Sequence, residues 1–265
     1  MNYSEWNIHI AKYFFKPENA GKNILFYLTK QDIINYSRRL LLGMSEDEIW
    51  DDFIYAIKYD QQDKKDKIIP YSPISKPLEL YRNWNRTDTP PFIAYLILYI
   101  IPLTETYDEP FYATNYYGKV NIFFKRYEIL NGFTEAFIGT VNYQTISHLW
   151  NALEEWSVIE MNCDLGIFEL KKFGNPNWIH VGKPFSQCVL PPSAINKLPE
   201  LFFEAGLIPD SAYSKEEFRK ILLKYGTKIL WLKESVIELI RKIDTNELGQ
   251  SIIEIVNREY KKWTG

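Results

Sequence analysis

The most apolar stretch of the chain, 91–103 (PFIAYLILYIIPL), sets the first constraint on its fold. It carries no charge, and each large side chain left in water forgoes roughly 1.5–3 kcal/mol of burial. A bilayer span needs about 20 apolar residues. This stretch is shorter and Pro102 interrupts it, so it is predicted as a buried helix of a protein core. A chain of 265 residues, 46% of them hydrophobic, can supply one large core or two smaller ones.

Periodicity and punctuation place further elements around that helix. Residues 5–15 put Ile8, Ala11, Phe14 and Phe15 on one helical face, ended by Pro17. The run 23–28 (NILFYL) is short, apolar and β-favouring, and reads as a buried strand. Thr29 can cap a helix that Gly43 closes. Ser45 and Glu48 have capping-box spacing and open a helix to Tyr59 that buries Ile49, Trp50, Phe53, Ile54 and Ile57. Helices are expected over 115–126 and 142–161. Two β-like runs, 167–171 and 178–181, flank the turn formers Gly174, Asn175, Pro176 and Asn177, which predicts a hairpin. Helices over 193–205, 214–225, 230–243 and 246–263 complete the chain, broken by Gly206, Pro209 and Gly226. The expected fold class is mainly α (α+β): a multi-helix globular fold with one short buried strand near the N-terminus and a β-hairpin in a winged-helix-like C-terminal half. Its two parts are 1–135, helical with the short strand, and 136–265, helical with the hairpin, or both form a single domain.

Net charge is -3, so whole-molecule attraction to phosphate is absent and any nucleic-acid contact must come from a local patch. Charge is segregated. Residues 45–66 hold Glu46, Asp47, Glu48, Asp51, Asp52, Asp60, Asp63 and Asp66 against three lysines; residues 215–242 hold Lys215, Arg219, Lys220, Lys224, Lys228, Lys233, Arg241 and Lys242 against four acids. Solvated helix faces explain most such runs. Aromatic content is 16%, which reads first as an aromatic-rich core and second as rings lining a groove for a partner chain or unstacked bases. Cys163 and Cys188 form no CxxC pair and no disulfide framework. With no basic region and apolar stretch within 1–12, a reducing, cytoplasmic setting and no membrane partner are expected.

The common chemical motifs fail one by one. His9, His148 and His180 stand far apart without HExxH or His–Cys spacing, so no metal is expected. GxxxxGK[ST] and GxGxxG are absent, which removes the usual phosphate cradles, and no cofactor is expected. GxSxG is absent, and Cys188 has apolar neighbours that suit a buried structural thiol. One arrangement fits a Mg²⁺-dependent nuclease: Asp164 ahead of Glu169 and Lys171, with the carboxylates holding the ion and the lysine steadying developing charge. Strand alternation puts Glu169 and Lys171 on one face, but Asp164 lies only five residues before Glu169. The same pair also reads as a solvent-facing Glu–Lys pair on a hairpin. As the wing of a winged-helix unit, the hairpin would offer Lys171 and Lys172 to phosphate, with His180 and Lys183 close behind.

Several stretches together carry a resemblance: Trp6 with Phe14, Phe15, Pro17 and Glu18; Pro90, Pro91 and Phe92; Asn115, Tyr116 and Tyr117; and 181–187 (VGKPFSQ) followed by Leu198, Phe202 and Phe203. They resemble an uncharacterised bacterial family associated with phage-defence or mobile-element loci. The resemblance spans most of the chain and implies a defence-system component, either by itself or as the N-terminal module of something longer; it carries over no catalytic residues. Absent motifs and abundant rings favour a non-catalytic binding or assembly module that contacts a partner protein, and nucleic acid through a local basic patch at Lys171, Lys172, His180 and Lys183. The alternatives are the Mg²⁺-dependent nuclease and a purely structural subunit.

Overall fold

Reciprocal caps fix where the helices start. In α1 (Tyr3–Phe14) the Asn2 side chain accepts from the Glu5 N–H while Glu5 accepts from the Asn2 N–H. Thr29 and Asp32 do the same for α2 (Lys30–Ser37), and Ser45 and Glu48 for α3 (Glu46–Tyr59). Each box satisfies backbone donors that the first turn leaves without partners. The computed structural model describes residues 1–59, 71–104, 116–129, 145–165, 183–184, 187–188, 190, 192–232, 234–244 and 247–265, and these are mainly helical. They fall into two compact units, one from the described residues of Met1–Thr106 and Ala113–Gln187, the other from those of Cys188–Gly265. The expected boundary near residue 135 and the expected hairpin over 167–181 lie outside the described residues.

The first unit adds β1 (Asn23–Ile24), α4 (Ser75–Arg82), α5 (Ile93–Ile97), α6 (Tyr116–Arg126), α7 (Ile146–Ile159) and β2 (Asp164–Leu165). Its apolar centre is the 91–103 stretch, where every residue from Phe92 to Ile101 is at most 1% exposed. The stretch is buried as expected, yet it is no continuous helix. Regular α-helix ends at Ile97, and Leu98, Tyr99 and Ile100 donate to carbonyls three residues back. Pro102 explains the break: it has no N–H for the Leu98 carbonyl, and its ring collides with that group in an α-helix.

Four buried tyrosines use their hydroxyls to close loose backbone ends. Tyr95 Oη donates to Ile57 O, Tyr99 Oη to Pro73 O, Tyr116 Oη to Tyr99 O and Tyr3 Oη to Pro91 O. Asn7, also buried, donates to Pro90 O and accepts from the Ala94 N–H, so α1 caps the start of α5. The buried stripe of α1 therefore runs through Tyr3, Trp6, Asn7, Ile10, Ala11 and Phe14, and Ile8, expected on it, is exposed. The expected strand over 23–28 shrinks to a two-residue parallel ladder, Asn23 with Asp164 and Ile24 with Leu165. Beyond it the Phe26 N–H is satisfied by Gln187 Oε1, a side chain in place of a neighbouring strand.

The second unit holds α8 (Pro192–Ile195), α9 (Leu198–Glu204), α10 (Lys215–Ile229), α11 (Glu234–Arg241) and α12 (Glu247–Tyr260). Helices α10, α11 and α12 pack pairwise around Phe218, Leu222, Val236, Ile240, Ile252 and Val256, and α9 lies against α10 and α12. Ser214 and Glu217 form the capping box of α10. Gly249 admits the backbone of α11: a Cβ there would stand 2.3 Å from the Leu239 carbonyl oxygen.

Candidate functional site

Of the residues expected to form a nuclease centre, Asp164 alone is among the described residues. Asp164 is exposed on β2, and its N–H donates to Lys22 O. Glu169, Lys171, Lys172 and His180 lie outside the described residues. Lys183 is half-buried, and its ammonium pairs with the Glu154 carboxylate on α7, so its charge is already partly neutralised. No group of three His, Cys, Asp or Glu among the described residues is placed to hold a metal ion.

Sequence reading missed one serine–histidine contact. His9 Nε2 on α1 lies 3.1 Å from Ser37 Oγ on α2, and the imidazole stacks on Tyr36 at 4.3 Å between ring centroids. Burial first, and the Lys12 charge second, hold His9 below its ordinary pKa. Such an imidazole is a weak base, and Ser37 is fully buried with no access for substrate. The pair joins two helices. Nothing in the spacing of residues 28 apart could have revealed it. Burial also raises both thiols, Cys163 (with Asp164 adding to the shift) and Cys188. Both shifts disfavour the thiolate, the nucleophilic form.

What the second unit offers is surface. Phe203 on α9 is 75% exposed, Ile208 in the following loop 65%, and Trp231 just after α10 69%. Gly206 takes φ +70° at the end of α9, and the Leu207 N–H returns to Phe202 O, a glycine-dependent stop that buries Phe202 while Phe203 stays outside. Trp231 takes φ +53°, a left-handed conformation that glycine normally fills. Its ring carries the Lys197 ammonium 3.8 Å from the centroid. No family model, curated protein or solved structure matches this chain. Sequence offered one clue to these positions: Phe203 breaks the buried pattern of Leu198, Leu201 and Phe202, an offset that shows as an extra ring on the wet side of a short helix. Trp231 gave no such sign, because its exposure follows from the helix stop ahead of it. Among the described residues, no helix is long and apolar enough to cross a membrane.

Proposed function

We propose that this chain is a non-catalytic binding and assembly module of a bacterial, phage-defence-type complex, docking a partner protein through its second unit. The observation that carries the reading is the exposure of Phe203 and Ile208. Large apolar side chains left outside in this way suit the centre of a protein interface. Among the described residues, Ser37, His9, Cys163 and Cys188 are instead buried, and burial holds His9 below and both thiols above their ordinary pKa. A winged-helix-like C-terminal half, with Lys171, Lys172, His180 and Lys183 as partner or phosphate contacts, belongs to the same proposal.

Co-purification from the native host, with retained proteins and nucleic acids identified, tests it. Phe203→Asp with Ile208→Asp should release the retained protein and leave the circular dichroism and Tm unchanged, since both positions are solvent-facing. An identical set of retained proteins would rule out this surface. Incubation with DNA or RNA in Mg²⁺ separates the alternatives: cleavage that Asp164→Ala or Glu169→Ala abolishes would establish the nuclease. Protein retained without nucleic acid would mark a structural subunit.

A further inference from the structure

Lys220, Lys224 and Lys228 succeed one another at four-residue steps on the exposed face of α10, about 6 Å of helix rise apart. The neighbouring acids are engaged elsewhere. Glu217 closes the capping box with Ser214; Glu216 and Asp244 hold Arg219 at 3.2 and 3.7 Å; Glu254 holds Lys215 at 3.2 Å; Glu234 and Glu238 hold Arg241. None of the three lysines has a carboxylate within ion-pair distance among the described residues; Lys224 lies 4.7 Å from the centroid of the Tyr225 ring, and Glu217 feels Lys220 only through space. Trp231 follows three residues past Lys228 in sequence; it has a left-handed backbone, is 69% exposed and carries the Lys197 ammonium 3.8 Å from its ring centroid.

We propose that this edge of the second unit binds single-stranded nucleic acid, with successive phosphates on Lys220, Lys224 and Lys228 and one unpaired base stacked on the Trp231 indole. It rests on the reading of the chain as a binding module and names a second ligand for it. Evenly stepped, unneutralised ammonium groups suit a polyphosphate, and an exposed ring suits a base of any identity. A duplex keeps its bases paired and has none to lay on that ring. A lipid surface would need an apolar helix face, whereas Phe218, Leu222 and Ile229 of α10 are turned into the core and Leu223 alone of its large apolar side chains lies outside. The conformational cost of Trp231 fits a ring kept for recognition, because glycine would close the same turn without strain.

The test is fluorescence anisotropy of the full chain with a labelled oligothymidylate, the matching duplex, and vesicles of phosphatidylcholine and phosphatidylserine. Lys220→Gln, Lys224→Gln and Lys228→Gln together should weaken single-strand binding at least about 10-fold and flatten the slope of log K against log salt by about 2, at roughly 0.7 per phosphate. The corresponding triple arginine variant should bind like wild type. Trp231→Gly should weaken binding roughly 10-fold with the salt slope unchanged, and its Tm should equal or exceed that of wild type because the backbone strain is relieved. Failure to bind the single strand at low salt, binding untouched by the triple glutamine variant, or binding confined to the vesicles each overturns the proposal. Cleavage of the labelled strand would instead overturn the non-catalytic reading while leaving this contact in place.

Discussion

His9 is a residue whose environment converts pH into stability. Burial beneath Tyr36 and the nearby Lys12 charge hold its folded pKa below the ordinary histidine value of about 6.5. The unfolded chain therefore takes up a proton as pH falls through 6.5, and the folded chain does not until the lower value is reached. The stability this group contributes is complete above 6.5 and is lost as pH falls toward the folded pKa. Urea unfolding at pH 7.5 and 5.5 should show wild type losing more stability than His9→Gln, which retains a hydrogen-bonding group for Ser37 but does not titrate. Equal losses in the two proteins would mean the imidazole is not desolvated. Nothing local announced this residue: a histidine on an apolar helix face reads the same whether it faces a serine, a metal or solvent, and its partner sits on another helix.

At the scale of elements, helix starts were far more legible than helix ends. The cap at Thr29 and the Ser45–Glu48 box stand where the sequence places them, because the interaction is complete within four residues. The ends depend on tertiary events. The helix expected over 142–161 is described from Ile146 and stops at Ile159; the Cys163 N–H there returns to Ser157 O through Asn162 at φ +51°. The helices expected over 230–243 and 246–263 shorten to Glu234–Arg241 and Glu247–Tyr260. Strand 23–28 was misjudged in extent for a similar reason, since apolar β-favouring residues need only burial and Gln187 supplies the bond a strand would have given Phe26. Local caps should be correspondingly local in effect. Ser214→Ala removes the acceptor for the Glu217 N–H and should destabilise the chain by about 1 kcal/mol, read as a lower urea midpoint at an unchanged m-value. A change in m would show that the cap also governs how compact the chain is.

The molecule as a whole divides its core, and that division was hidden from the sequence because it is made by contacts between distant residues. Composition allowed one core or two; the described residues form two units that meet in sequence at Gln187 and Cys188, with no glycine or proline linker between those neighbours. Each unit is closed by its own kind of packing. The first relies on tyrosine tips and Asn7 to satisfy backbone around the 91–103 stretch, and the second on three helices whose approach is set by Gly249. The added methyl of Gly249→Ala would meet the Leu239 carbonyl oxygen at 2.3 Å, and its next neighbours, the Leu239 carbonyl carbon and the Ile243 Cα, are backbone as well. No side-chain rotation can relieve that collision, so α11 and α12 must separate, at a cost of about 1–3 kcal/mol. Because the damaged packing belongs to one unit, hydrogen exchange should accelerate in α9, α10, α11 and α12, while the amides of α1, α3 and α5 keep wild-type protection. Equal acceleration throughout would show that both units unfold as one cooperative body, and the second would then be unable to loosen around a ligand while the first stays closed.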